Sequence, residues 1–486
     1  MLDGVTRATH KAGSPRMPLA VDLDGTLLAG DVLHEQFLKL LFQRPVMLLR
    51  LLLTLRLGKA AFKRRVVSLM PPLAVALPFR KPFLEWLQGQ KIDGRPLHLV
   101  TASDQHVADA VAAHLGLFET ATGSNGLVNL RGAAKGESLR ARFPGGFAYA
   151  GDSKADLDVW AMADQVVLVN ASSATTLKVR AEGWPVLAEF ARIRPGIKDW
   201  LRAIRLHQWS KNALMLVPLL LGHRLTDLHA VLRVLAAMLI ISVAASGTYI
   251  LNDLADLEAD RLHDKKCRRP FASGRLSPVT GFLVATLLIA GALVCAAVLA
   301  WNCMVLIAAY VVISLTYSLR LKSIPFLDTS IIAALFTLRL VLGIEMAQVL
   351  YSPWLISFAA FFFLSLALAK RHVELMQAAD GSGASLARRG YLPEDWPLTL
   401  AFGVAAAFAS LQIMILFVAD DARPSLLYSH PSRLYLAPSG VALWLMRVWF
   451  LAHRKRLSHD PVIFALRDPV SWLLGGYILA IILSAL

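Results

Sequence analysis

Asn252-Asp253-Leu254-Ala255-Asp256-Leu257-Glu258-Ala259-Asp260-Arg261 follows directly on an apolar run, residues 230–251. A helix needs about 20 mostly apolar residues to cross a bilayer core, and this run supplies them. At helical periodicity Asn252, Asp253, Asp256 and Asp260 share one face. Three carboxylates and an amide on one face repel one another unless a cation lies between them. Mg²⁺ holding a substrate diphosphate is the natural partner. A solvated acidic helix end is the plain alternative, and the four-residue spacing disfavours it. Arg268, Arg269 and Pro270 come next, and the two guanidinium groups suit phosphate oxygens.

Outward from this stretch the pattern repeats. Nine apolar segments fall at 212–222, 230–251, 279–299, 304–318, 326–348, 354–370, 399–419, 438–453 and 468–486. The first is short for a span, with Trp209 as its interface anchor. An all-α polytopic membrane domain of about nine transmembrane helices is therefore expected over 207–486. Basic residues gather at Arg192–Lys211, Arg261–Arg275, Arg320–Lys322, Lys370–Arg389 and Arg454–Arg467, whereas 223–229, 300–303, 349–353 and 420–437 carry few. That asymmetry predicts a cytoplasmic N-terminus and an outer C-terminus.

Of the 486 residues, 56% are hydrophobic and 17% charged, which is too apolar for a purely soluble protein. The net charge of +16 would suggest nucleic acid on a soluble chain. Here the basic residues sit between apolar runs, so anionic lipids and anionic substrates are the expected partners, and nucleic acid is not. Cys267, Cys295 and Cys303 form no metal spacing. The first 18 residues are polar and basic with no apolar run after them, so residues 1–190 are expected to stay in the cytoplasm.

Residues 1–190 have a different texture. Leu19-Ala20-Val21 leads into Asp22-Leu23-Asp24-Gly25-Thr26. Two carboxylates two residues apart leave a strand on the same side, and Gly25 lets the chain turn sharply. His98-Leu99-Val100 leads into Thr101-Ala102-Ser103, and Phe147-Ala148-Tyr149-Ala150 into Gly151-Asp152-Ser153-Lys154-Ala155-Asp156. Helical stretches such as Asp104–Leu115 lie between them. Strands alternating with helices imply a parallel sheet with ligands at the strand C-termini.

Taken in order, these motifs resemble those of haloacid dehalogenase (HAD) phosphatases, over residues 18–185. The resemblance implies an α/β, Rossmannoid domain with a helical cap at about 31–90, then a linker at 191–206. It assigns Asp22 as nucleophile and Asp24 as acid and base. It also implies Mg²⁺ held by Asp22, the Asp24 carbonyl and Asp152 with Asp156 nearby, and phosphoryl contacts from Thr101 and Lys135. Within the cap, Val46–Leu53 is unusually apolar and is followed by Lys59, Lys63, Arg64 and Arg65. It is too short to span, and suits either a cap core helix or a surface lying on the membrane.

The NDxxDxxxD run at 252–260 resembles that of the UbiA prenyltransferase superfamily, and the likeness extends over 200–486. Most members carry a second acidic motif after the sixth span, where this chain has Lys370-Arg371-His372-Val373-Glu374. With Tyr317 to Lys322, Asp328 and Arg205 to Asn212, that departure resembles the decaprenyl-phosphate phosphoribosyltransferase branch, save that Leu206 replaces a proline of its pattern. The resemblance implies a bifunctional enzyme of the bacterial inner membrane with its active sites on the cytoplasmic side. Its substrates would be phosphoribosyl diphosphate and a polyprenyl phosphate. Asp253 and Asp256 would be catalytic, Asn252, Asp253, Asp256 and Asp260 would hold Mg²⁺, and the HAD domain would remove the 5-phosphate.

A donor with phosphates at both ends needs more cations than a prenyl diphosphate. Lys211, Asn212, Arg268, Tyr317, Lys322, Arg339, Lys370, Arg371 and Glu374 are the expected substrate-binding residues. Arg339 lies mid-span, where a charge is costly without a partner. Substrate or Asp328 is expected to supply it sooner than Glu345. The competing reading is an aromatic prenyltransferase using a prenyl diphosphate, with a HAD domain that regulates or serves another substrate.

Overall fold

The computed structural model describes residues 16–52, 59–125, 130–379, 389–422, 428–457 and 461–485. Leu53 and part of the basic stretch 370–389 lie outside them. The chain forms two compact units. One joins the residues up to Ala203 with Asp253–Leu283, and the other joins Ile204–Asn252 with Val284–Leu486.

The first unit is built on six parallel strands: β1 (Leu19–Val21), β2 (Leu97–Asp104), β3 (Thr120–Ser124), β4 (Ala148–Gly151), β5 (Gln165–Val169) and β6 (Val186–Phe190). Their order is β3-β2-β1-β4-β5-β6. The strands are short apolar runs because both faces of the sheet are covered. Leu19 and Val21 pack with Val107 and Val111 on one face, while Ala20 packs with Tyr149 and Trp160 on the other. Leu19 aligns with Leu97 of β2 and Ala148 of β4. That register brings Asp22, Thr101 and Asp152 to one edge of the sheet.

Between Leu28 and Phe79, which meet in an antiparallel bridge, the chain inserts helices Val32–Gln43, Pro45–Leu52 and Lys59–Leu69. Leu40, Leu51, Val66 and Met70 form their core. The apolar stretch thus buries Leu51 inside the insertion, while Val46 stays 69% exposed. Helix Lys81–Ile92, within the stretch read as a cap, instead packs Phe83 and Leu87 against the sheet core.

Seven helices are long and apolar enough to cross a membrane: Leu228–Ala255, Pro278–Leu299, Trp301–Leu319, Leu327–Ala347, Pro353–Ala379, Pro393–Ala422 and Pro431–His453. About nine were expected, and these seven are counted among the described residues. The last apolar segment forms a shorter apolar helix, Pro469–Ala485, of 17 residues. At 1.5 Å per residue it rises about 26 Å. The first winds as a tight 3₁₀ stretch, Leu206–Leu216, and a short helix, Val217–Leu221. Helix–helix contact in the second unit relies on small residues, as expected where lipid offers no hydrophobic drive. A Cβ on Gly403 would lie 2.1 Å from the Trp449 ring, so only glycine admits the indole, whose Nε1 donates to Ser365 Oγ.

Candidate functional site

At the sheet edge of the first unit, β1 ends and the chain turns through Leu23–Leu27, with Gly25 at φ +78°. A side chain there would be strained, and its Cβ would lie 2.3 Å from Asp152 Oδ2. Glycine therefore allows the two acidic loops to close on one another. Lys135 Nζ, 2% exposed as a residue, lies 2.9 Å from Asp22 Oδ1 and donates to Tyr149 OH at 2.9 Å. Asp24 is gripped at both oxygens. Val32 N–H donates to Oδ1 at 2.8 Å, and Ser103 Oγ donates to Oδ2 at 2.5 Å.

Asp22, Asp152 and Asp156 form the one cluster of three potential metal-ligating residues among the described residues, with oxygens within 4.8 Å of one another. An all-carboxylate set suits a hard cation such as Mg²⁺. Burial, then the charges of Asp156 and Asp22, push the Asp152 carboxyl up to about 8. Burial, then the charge of Asp31, push Asp24 up to about 7. Asp156 is also bound from within the protein. Its Oδ1 accepts from Tyr149 OH at 2.8 Å, and its Oδ2 accepts from Asp152 N, Ser153 N and Ser153 Oγ. It thereby shapes the loop that presents Asp152. Thr101 is fully buried within β2, and its Oγ1 accepts from Ser103 N at 3.0 Å.

The second acidic run does not continue as one helix. The span ends at Ala255, Asp256 bends the chain at φ −96°, ψ 9°, and Leu257–Arg261 forms a separate helix. Asp253 and Asp260 nevertheless converge on Arg269, whose Nη1 donates to Asp253 Oδ1 at 2.9 Å and to Asp260 Oδ2 at 2.6 Å. Both carboxylates are 3% exposed. Burial pushes the Asp260 carboxyl up, and Arg269 opposes it. Asn252 and Asp256 are half-buried, and Arg268 is exposed. Arg269 thus stands between the two carboxylates, where a cation was expected.

In the second unit the expected substrate residues are engaged with one another. Arg339 Nε donates to Asn212 Oδ1 at 2.7 Å, and its Nη2 donates to Tyr310 OH at 3.1 Å. Asn212 Nδ2 in turn donates to Ser242 Oγ at 2.7 Å. The mid-span charge is thus held by Asn212, Tyr310 and the Leu335 carbonyl; of the two expected partners, substrate or Asp328, Asp328 instead pairs with Arg371. Glu345 accepts from Asn302. Arg371, 1% exposed, pairs with Asp328 at 2.5 Å and with Glu374. Tyr391 OH donates to the other Asp328 oxygen at 2.7 Å, and Arg389 joins Glu374 at 3.0 Å. Arg371, expected to bind substrate, is thus part of a charged network with Asp328, Glu374 and Arg389. Lys211 lies over the Phe336 ring at 5.6 Å. Tyr317, Lys322 and Lys370 are half-buried.

Sequence reasoning missed Ser103, Tyr149, Tyr310 and Tyr391. Ser103 stands two residues past Thr101, at the place where the alternation of a strand returns to the same side, and that spacing was the available signal. The three tyrosines gave none.

Residues 214–467 match the UbiA prenyltransferase family. The chain is 44% identical to the uncharacterized protein y4nM of Sinorhizobium fredii, covering 97% of this chain and 91% of that one. It is 34% identical to the nodulation protein NoeC of Azorhizobium caulinodans, over 55% of this chain and 87% of that one. It is 33% identical to the decaprenyl-phosphate phosphoribosyltransferase of Mycolicibacterium smegmatis, over 42% and 67%. A solved UbiA homolog from Archaeoglobus fulgidus, bound to GPP and Mg²⁺, aligns with 58% of this chain and 99% of that one, at 18% identity and a TM-score of 0.45. With the family match extending over more than half of its length, the chain belongs to the UbiA prenyltransferase family.

Proposed function

We propose that this chain transfers 5-phosphoribose from phosphoribosyl diphosphate to a polyprenyl phosphate at the cytoplasmic face of a bacterial inner membrane. Its first unit would then remove the 5-phosphate as a HAD-type phosphatase. The observation that carries the transfer is the convergence of Asp253 and Asp260 on one cation position at the end of a span. The basic Lys370-Arg371 in place of a second acidic motif favours a phosphoribosyl donor over a prenyl one, as does the likeness to the mycolicibacterial enzyme.

In the transfer, an oxygen of the polyprenyl phosphate attacks the anomeric carbon. The bond from that carbon to the diphosphate breaks, and the diphosphate leaves with the electron pair. Asn252, Asp253, Asp256 and Asp260 would hold Mg²⁺, which supplies charge to the leaving diphosphate. Arg269, released from its two carboxylates, is placed to bond phosphate oxygens.

In the hydrolysis, Asp22 attacks phosphorus while Asp24 gives its proton to the departing ribose oxygen. Asp24 then takes a proton from the water that attacks the aspartyl-phosphate, freeing inorganic phosphate and Asp22. Lys135 holds the Asp22 carboxylate in place and neutralises phosphoryl charge. Mg²⁺ on Asp22, the Asp24 carbonyl and Asp152 would balance the dianionic phosphate.

The test supplies purified protein with Mg²⁺, labelled phosphoribosyl diphosphate and a polyprenyl phosphate, and analyses the lipid phase. Label is expected in lipid-linked ribose. A protein that ignores phosphoribosyl diphosphate and prenylates 4-hydroxybenzoate would overturn the assignment.

A further inference from the structure

The loop after the acidic run, Asp253–Leu283, packs as part of the first unit. Its central link is a buried ion pair. Arg261 Nη1 and Nη2 donate to Glu35 Oε2 and Oε1 at 2.7 Å each, a two-pronged pair with both side chains under 10% exposed. Arg261 also donates to the Ala76 carbonyl at 3.1 Å and to the Ala272 carbonyl at 3.1 Å. One guanidinium therefore ties together the first helix of the inserted cap, the strand-side end of that cap, and the loop. A second pair, Lys39 Nζ to Glu258 at 2.7 Å, lies one helical turn along the same cap helix. Gly274 lies against Ala29, so closely that a Cβ there would be 2.5 Å from the Ala29 Cβ.

Arg261 is the residue after Asp260, and Glu258 is two before it, on the five-residue helix Leu257–Arg261. A helix this short has little stability of its own, so its orientation is set by what holds it. Two of its five side chains are held by the cap. The same helix presents Asp260 to Arg269, which carries Asp253. The path from the cap to the two carboxylates is thus Glu35, Arg261, Asp260, Arg269, Asp253, each joined to the next by a covalent step or a charge-assisted bond.

We propose that Glu35 and Lys39, on the soluble cap, are positioning residues for the acidic loop of the transferase. In this reading the soluble unit is a structural requirement for transfer, apart from any phosphatase turnover. The inference rests on the proposed role of Asp253 and Asp260 in holding Mg²⁺. Groups that orient metal ligands from behind typically change metal affinity or activity by about 10–100-fold when removed.

The experiment measures lipid labelling against Mg²⁺ concentration in the purified full-length protein, with hydrolysis of a small soluble phosphate ester followed in parallel. Glu35→Gln is expected to raise the half-saturating Mg²⁺ for labelling by about tenfold or more. Ester hydrolysis should remain within about twofold, and Glu35→Asp should recover most of the loss. Lys39→Glu should show the same shift, and the double reversal Lys39→Glu with Glu258→Lys should reverse it. The reversal keeps the proposal testable where Glu35→Gln disturbs the cap itself. Asp253→Asn separates the two claims. If it abolishes labelling while Glu35→Gln and Lys39→Glu leave the Mg²⁺ dependence unchanged, the positioning role is wrong. Should Asp253→Asn label normally, the fault lies in the metal assignment of the acidic loop.

Discussion

Asp24 and Asp152 are carboxylates whose ionised forms are disfavoured by burial, with pKa values raised to about 7 and about 8. A raised folded pKa means that the folded protein binds more protons than the unfolded one. Stability is therefore lost as pH rises from the ordinary carboxylate range through those values. A divalent cation on Asp22 and Asp152 would bind the ionised form and so offset that loss. The Mg²⁺-induced rise in melting temperature should accordingly be larger at about pH 8 than at about pH 6. A shift independent of pH in calorimetry would place the cation elsewhere. Gly25→Ala tests the same place sterically. With φ at +78° and Asp152 in contact, the variant should lose ester hydrolysis by at least about a hundredfold, while lipid labelling persists. At this scale the spacing in sequence singled out Asp22, Asp152 and Asp156, which the structure brings together, because they sit in two short segments after apolar strands. The bond from Ser103 to Asp24 crosses 79 positions, and Tyr149 of β4 meets Lys135 of the helix Ala133–Arg142. Such pairings depend on sheet order, which no local pattern encodes.

Among the elements, hydropathy located the long spans because a lipid-facing helix must be apolar nearly all round. Length in residues does not reveal that 206–216 winds tightly. The helix Pro353–Ala379 shows what composition conceals. Lys370-Arg371 reads as a pair of equal cations, but neighbours on a helix point about 100° apart. Arg371 faces Asp328 of the helix Leu327–Ala347 and is buried, whereas Lys370 is half-buried. Removing one member of a buried ion pair leaves an uncompensated charge and typically costs about 3–5 kcal/mol. Arg371→Ala should therefore lower thermal stability and extractable protein, with labelling lost alongside. Lys370→Ala should leave the melting temperature in place. Its KM for phosphoribosyl diphosphate should rise about tenfold to a hundredfold, from a lost charge-assisted bond of about 1.5–3 kcal/mol. An unchanged melting temperature for Arg371→Ala would show that the Arg371 network contributes nothing to the fold.

For the molecule as a whole, the question is why a unit built on a parallel sheet and a UbiA domain share one chain. The linking segment Ala191–Gly196 has no regular structure and is exposed, and the acidic loop returns from the membrane helices to pack with the first unit. The two units lie on one chain, and a tethered site meets its substrate at an effective concentration set by the tether and not by diffusion. The transfer product would carry a phosphate on ribose C5, a dianion on a lipid that cannot leave the membrane. A phosphatase on the same chain would act on that product before it spreads. Asp22 is the nucleophile in this scheme, and Lys135 fixes it at 2.9 Å. Asp22→Asn keeps the shape of the side chain and removes the attacking charge. It should still form lipid-linked phosphoribose, now as an accumulating phosphorylated species, with inorganic phosphate release lost. The unaltered protein should release one inorganic phosphate per lipid-linked ribose formed, read by chromatography of the lipid phase beside a phosphate assay of the aqueous phase. Adding a separately purified Asp253→Asn protein, whose phosphatase is intact, should clear the accumulated species only slowly, because the tether is gone. If the Asp22→Asn and unaltered proteins yield the same phosphorylated lipid in the same amount, the first unit serves another substrate and the two reactions are not consecutive.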